Sequence, residues 1–265
     1  MTHETARPQC LRRDFLVGPA AGMAVAMGVG RAAALARPPG FPDGATPSYA
    51  QCGEDVAARE LLGHKGVERP TYLDVGAFRP IHYNNTYLFH TLGGRGVLVE
   101  PNVALADEIR AARPGDVLLT VGIGLEGQTT ADLYCLTLPE WNTFDREEAE
   151  RNVKGTGGRV RIEKVVKTPL IPINTVIADH FHGEAPDFLS IDVESLDLPI
   201  LRTLDFDRFR PRVICAETVV PLAGRMAPDV AAFLTTKGYQ ARAMTFANTL
   251  FVDRAWFGEG EEESA

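Results

Sequence analysis

The chain has 265 residues, 45% of them hydrophobic and 23% charged, and a formal net charge of −8. That length supplies one large domain with a sizeable core, and the composition is ordinary for a globular protein. The acidic balance argues against sequence-independent nucleic-acid binding, which needs a basic face, so nucleic acid is not among the expected partners.

The N-terminal segment is set apart from the fold. Arg12-Arg13-Asp14-Phe15-Leu16 is a twin-arginine pair followed by apolar residues, then a Gly/Ala-rich weakly apolar stretch, then Ala34-Leu35-Ala36 in a small-residue cleavage pattern. This order is that of a twin-arginine export signal over residues 1–36. It implies the twin-arginine machinery as a partner and a periplasmic or secreted location. A cytoplasmic location follows if the signal is not used. The stretch is too short and too Gly-rich for a stable membrane span. Residues 37–47, rich in Pro and Gly, read as a linker, residues 48–256 as the folded domain, and the acidic residues 257–265 as a disordered tail. Beyond the signal, Cys52, Cys135 and Cys215 are odd in number and lack metal-ligand spacing. Cys215 sits in an apolar run and reads as a core thiol, and a Cys52–Cys135 pairing is left open.

Within the domain, residues 53–65 read as a helix, 71–75 as a strand entering a turn at Gly76, and 85–92 as a helix. A strand over 96–99 ends at Glu100-Pro101-Asn102; a helix over 104–112 is closed by Pro114, and a strand follows over 117–121. The middle is less regular. A strand is expected over 129–136, a loop turning helical over 141–152, a glycine break at 155–158, a half-buried strand over 160–168 and a helix over 173–181. Then come a buried strand (187–193), a helix (196–204), a strand (213–217) and a helix (227–237) closed by Gly238. A closing antiparallel pair spans 239–244 and 249–252. Strands alternating with helices imply an α/β, doubly wound, mostly parallel sheet covered on both faces. In such sheets ligands bind beyond the carboxyl ends of the strands, at the switch in strand order.

The polar residues at strand ends are therefore the candidates. Gly76 lets the backbone turn and approach a ligand closely, and Asp74 could accept hydrogen bonds from a cationic amino group. No Gly-x-Gly-x-x-Gly is present, so a dinucleotide site is poorly supported. Glu100, one βα unit later, suits a bidentate grip on ribose hydroxyls, and the two together point to an adenosyl-type ligand. Ser190-Ile191-Asp192-Val193-Glu194 ends an apolar run with two carboxylates. Residues two apart on a strand point the same way, so Asp192 and Glu194 converge if the extended form persists. Against this, Glu194 or Ser195 could simply cap the following helix. Glu217 ends the next strand. Asp192 and Glu217 on neighbouring strand ends could hold a divalent cation such as Mg²⁺. His82 is a weak candidate base; His180 and His182 read as surface residues.

Five motifs occur in order: Ser48 to Asp55 (SYAQCGED), Tyr72 to Ala77 (YLDVGA), Asn84-Asn85-Thr86, Gly96 to Asn102 (GVLVEPN) and Asp187 to Glu194 (DFLSIDVE). Together they resemble the FkbM family of methyltransferases over roughly residues 48–252. The resemblance implies a seven-stranded, Rossmann-like class I sheet, S-adenosylmethionine as cofactor, and O-methylation of a hydroxyl on a sugar or other small-molecule or glycan acceptor. By position, Asp74 and Gly76 would line the methionine end of the cofactor, Glu100 the ribose, and Gln51 and Asn85 the same pocket. Gln51 and Asn85 could equally cap the helices they precede. Asp192 and Glu194 would be the catalytic pair facing the acceptor. Residues 141–144 would cover the substrate, with Trp141 either stacking on a sugar or packing in the core. Ser195 stands where the family usually has Gly, and no acidic adenine reader follows the third strand. An exported methyltransferase would lack a cofactor supply. A non-catalytic exported binding module with the same fold is therefore the competing reading.

Overall fold

The computed structural model describes residues 45–220, 225–226 and 228–258. The twin-arginine segment 1–36, most of the linker and tail residues 259–265 lie outside the described residues. The chain runs α1 (Glu54–His64), β1 (Thr71–Val75), α2 (Tyr87–Thr91), β2 (Arg95–Val99), α3 (Ala106–Ala112), β3 (Val117–Leu119), β4 (Gly122–Gly124), β5 (Thr130–Leu136), α4 (Arg146–Gly155) and β6 (Ile162–Pro172). It continues with α5 (Ile173–His180), β7 (Phe188–Ile191), α6 (Asp197–Thr203), β8 (Val213–Glu217), β9 (Val219–Val220), β10 (Arg225–Met226), α7 (Pro228–Thr236), β11 (Tyr239–Met244), β12 (Asn248–Asp253) and α8 (Arg254–Phe257).

The main sheet has seven strands in the order β11-β12-β8-β7-β1-β2-β3. β8, β7, β1, β2 and β3 pair in parallel, and β12 pairs antiparallel with both β8 and β11. This is the expected doubly wound sheet with its antiparallel closing pair. Strand order reverses at β1, which lies between β2 and β7, so its carboxyl end is the switch point where a crevice opens.

Side-chain alternation on β1 sorts its residues to two faces. Leu73 and Val75 join the larger core with Ile173, Ile177, Leu201 and Leu234 from α5, α6 and α7. Tyr72 packs on the opposite face with Ala58, Leu62 and Phe89 from α1 and α2. Asp74 has the parity of Tyr72 and therefore faces α2, which decides its partners below.

Three local expectations change. The strand predicted over 117–121 stops at Leu119, and Gly122–Gly124 moves to a second, three-stranded sheet ordered β4-β6-β5. Gly122 pairs with Leu170 of β6 so closely that a Cβ there would lie 2.6 Å from both Leu170 Cδ2 and Phe144 Cζ. β6 extends to Pro172, and its first half is exposed rather than half-buried, with Val165 at 49% exposure. The strand predicted over 187–193 ends at Ile191, because Glu194 and Ser195 take left-handed φ of 51° and 78°. Cys52 is exposed and Cys135 buried, and neither is in a disulfide.

Candidate functional site

A cavity enclosing about 610 Å³, counted to its open mouth, lies at the carboxyl ends of β1, β2 and β7. Val75, Gly76, Val99, Glu100, Asp192 and Glu194 line it from these strand ends and the turn after β7. Gly122, Ile123, Leu133 and the 139–144 segment, including Asn142 and Phe144, complete the lining. Trp141 is not among the lining residues; it packs with Leu136, Ala149 and Val160. The acidic lining residues are Glu100, Glu140, Asp192 and Glu194, and no Lys, Arg or His is among the lining residues.

Gly76 has φ +84°, and a Cβ there would sit 2.0 Å from the Asp192 carbonyl oxygen. Its amide and that of Ala77 both donate to Val99 O, at 3.0 and 3.2 Å. The turn thus ties β1 to β2 while pressing against the end of β7.

Glu100 is 6% exposed and held by two backbone donors, Phe78 N to Oε2 (2.8 Å) and Asn102 N to Oε1 (2.7 Å). Burial pushes its pKa up to about 7, the two amides opposing and Asp74 adding to the rise. Each carboxylate oxygen keeps a lone pair beyond its backbone bond.

Asp74 lies behind the cavity rather than on its lining. It is 3% exposed, and its Oδ2 accepts from Thr86 Oγ1 (2.7 Å) and Asn84 Nδ2 (3.0 Å). Burial raises its pKa; Thr86, Arg113, Asn84 and Ser190 oppose that rise. Asn85 caps nothing. Its Nδ2 donates to Ser190 Oγ at 3.1 Å, next to Asp74. Gln51 is exposed and outside the cavity lining, as is His82. The conspicuous residues of the first motif are instead its acids. Asp55 accepts from Ser48 Oγ and Tyr49 N, both at 2.7 Å, and Glu54 reaches Thr245 Oγ1 at 2.6 Å.

Asp192 and Glu194 do converge on the cavity, but through the left-handed turn rather than an extended strand. Asp192 keeps an exposed surface on the cavity lining although protein atoms surround it closely. That crowding raises its pKa, with the Asp74 and Glu54 charges adding to it. Crowding likewise lifts Glu194 to about 9, helped by Asp192, Glu217, Asp197 and Glu148. Glu217 rises to about 8 by burial and then by Asp192 and Glu148.

The capping alternative for Glu194 and Ser195 is not realised: α6 has Leu196 at its cap with no side-chain bond. Ser195 Oγ instead donates to Glu148 at 2.9 Å, and Thr143 Oγ1 donates to Glu194 O at 3.3 Å. The metal expectation for Asp192 and Glu217 also lacks support. Among the described residues no three His, Cys, Asp or Glu side chains converge with metal-holding geometry.

The serine at 195 has a testable cost. A non-glycine residue at φ +78° is strained by about 1 kcal/mol. The exposed bond to Glu148 returns no more than about 1 kcal/mol. Ser195→Gly is therefore expected to leave stability unchanged or raise it by up to about 1 kcal/mol, and Ser195→Val to lower it by about 2 kcal/mol, in urea unfolding.

The description "Methyltransferase FkbM domain" belongs to a family model that matches residues 74–241. No curated protein matches the chain significantly. Among solved structures, an O-methyltransferase from Bacillus cereus in complex with SAH is similar at 14% identity and a TM-score of 0.41, over 77% of this chain and 82% of that one. The matched stretch begins at Asp74, holds Gly76, Glu100, Asp192 and Glu194, and exceeds half of the chain, so this protein belongs to the FkbM methyltransferase-domain family.

Proposed function

We propose that the chain is an S-adenosylmethionine-dependent methyltransferase acting on a hydroxyl of a sugar or another small-molecule or glycan acceptor. The observation that carries this reading is one cavity lined at once by Gly76, Glu100 and Asp192. The lining suits the cofactor. Glu100 has two lone pairs free for a ribose diol. Val99, Pro101, Ile123 and Phe144 offer an apolar slot for a flat ring, and the acidic lining complements a cation.

When bound, S-adenosylmethionine supplies an electrophilic methyl group on a sulfonium, so placement of the acceptor is the main demand on the protein. Asp192, exposed on the cavity lining, is the group that would take the proton from the acceptor hydroxyl at its carboxylate. Its raised pKa brings it closer to the working pH, where a general base is most effective. Glu194, raised to about 9, is protonated at neutral pH and can donate a hydrogen bond to the acceptor.

Asp192→Asn is expected to lower kcat by about 100-fold or more while shifting the cofactor Kd only a few-fold. Transfer of labelled methyl to a panel of neutral and amino sugars reads the first number, and calorimetric titration the second. Absence of S-adenosylmethionine binding by the folded chain would overturn the proposal; binding without turnover on any acceptor would favour the binding-module reading. The periplasmic or secreted location rests on the Arg12-Arg13 pattern, and fractionation of a tagged full-length chain tests it.

A further inference from the structure

Arg113 is 1% exposed, the largest fully buried side chain among the described residues, and it lies on none of the three strands that end at the cavity. It follows α3, immediately before Pro114. A buried guanidinium is costly unless each face and donor is satisfied. Its Nε donates to Asp116 Oδ2 at 2.8 Å, and its plane lies over the rings of Tyr72 and Tyr87 at 5.4 and 5.5 Å. Asp116 in turn accepts from Tyr72 Oη and Gly96 N and pairs with His90 Nδ1 at 3.0 Å. That half of the network anchors the arginine.

The other half points at the candidate site. Nη1 donates to Asn84 Oδ1 and Nη2 to Thr86 Oγ1, each at 3.0 Å. Both contacts occupy acceptor atoms. With its oxygen committed, Asn84 presents its NH₂ to Asp74 Oδ2 at 3.0 Å. Thr86, accepting from the guanidinium, has a single hydroxyl hydrogen, with Asp74 Oδ2 at 2.7 Å and Asn84 Oδ1 at 3.0 Å; the nearer, carboxylate oxygen is the stronger acceptor. The polarity therefore runs one way, from guanidinium through amide and hydroxyl to carboxylate. A second arm, Asn85 to Ser190, brings the Ser190 hydroxyl to Asp74 from β7.

We propose that Arg113 is a positioning residue for the cofactor: acting through Asn84 and Thr86, it fixes the orientation of Asp74 and so sets affinity for S-adenosylmethionine without touching it. This rests on the proposed function together with the family resemblance, which puts Asp74 at the methionine end of the cofactor; in the structure Asp74 lies just behind the cavity lining, two residues before Gly76.

The test measures the S-adenosylmethionine Kd of the full chain by calorimetry together with melting temperature. Thr86→Val keeps shape and removes the relay hydroxyl; Thr86→Ser restores it. Thr86→Val is expected to raise Kd about tenfold and Thr86→Ser to return it to within about twofold of wild type. Arg113→Lys, which cannot serve Asn84 and Thr86 together, is expected to raise Kd about tenfold. Combined with Asp74→Asn, it should add nothing to the single Asp74→Asn effect. Arg210→Lys, at the part-buried pair with Asp253, gives a destabilised control whose Kd should not move. If Thr86→Val binds as wild type does, or if the Arg113 and Asp74 effects simply add, Arg113 is structural only and the proposal is overturned. If wild type itself does not bind, it is the functional reading that fails. An Arg113→Lys chain that does not fold leaves the Thr86 pair to decide.

Discussion

Gly76→Ala is expected to abolish measurable cofactor binding and to destabilise the fold by more than about 3 kcal/mol. Two costs combine. The residue sits at φ +84°, where an L side chain is strained by about 1 kcal/mol. The added methyl would also meet Asp192 O at 2.0 Å, Asp192 C at 3.1 Å and Val193 Cγ1 at 3.2 Å. Two of these atoms are backbone, so no rotamer change relieves the contact. The end of β7 must move away from β1, and the Asp192 N to Val75 O bond at 3.1 Å goes with it. Because Asp192 lines the cavity, the same displacement opens the candidate site. Thermal unfolding and titration with S-adenosylmethionine check the two effects separately. A Gly76→Ala chain with wild-type melting temperature and affinity would mean that the close approach of the two strand ends does not matter.

The strand ends were readable because polar residues closed apolar runs: Gly76, Glu100 and Asp192 were each visible that way, and all three line one cavity. Asp74 is legible as a strand-end acid too, but the structure sets it behind the cavity lining. Alternation put it on the face of Tyr72, towards α2, where Asn84 and Thr86 wait for it. Whether Glu194 stays extended or caps the next helix is open in the sequence, because a left-handed φ in a non-glycine residue has no local signature. β4 escaped notice because three residues, two of them glycine, carry no periodicity; its strand character comes from pairing with β6, some 48 positions away (Gly122 with Leu170).

Long-range partners are what local pattern leaves out. Glu54 looks like an ordinary first-turn helix acid. Its carboxylate nevertheless bonds Thr245 and Asn248, 191 and 194 positions along the chain, and clamps α1 to the β11–β12 turn. Arg113 in the run Ala111-Ala112-Arg113-Pro114-Gly115 reads as a surface arginine at a helix end. Only the folded chain brings Pro80, Asn84, Thr86 and Tyr72 around it. Local pattern gives element type and the parity of a strand; it carries nothing about which distant loop satisfies a buried charge.

Affinity for S-adenosylmethionine is expected to rise about tenfold between pH 6 and pH 8 and to lose that dependence in Glu100→Gln. The apo carboxyl titrates at about 7, raised by burial. If the ionised form is the one that takes a ribose diol, about one apo molecule in eleven is competent at pH 6 and about ten in eleven at pH 8. The geometry explains why protonation matters. Phe78 N and Asn102 N already occupy one lone pair on each oxygen, so a bound proton consumes one of the two places left for hydroxyls. The stability sign follows from the same shift. A carboxyl whose folded pKa is raised contributes stability that is fully present below its unfolded value and is lost as pH rises through about 7. Glu194 and Glu217, raised to about 9 and about 8, act in the same direction at higher pH, so the apo chain should melt lower at pH 8 than at pH 5. Glu100→Gln should weaken binding by about 30- to 100-fold at pH 8, because one end of the amide must set its NH₂ against a backbone N–H donor. Calorimetry in buffers of different ionisation enthalpy should also show proton release on binding near pH 7 in wild type and none from this site in the variant. An affinity independent of pH in wild type would mean that the Glu100 carboxylate does not meet the ligand.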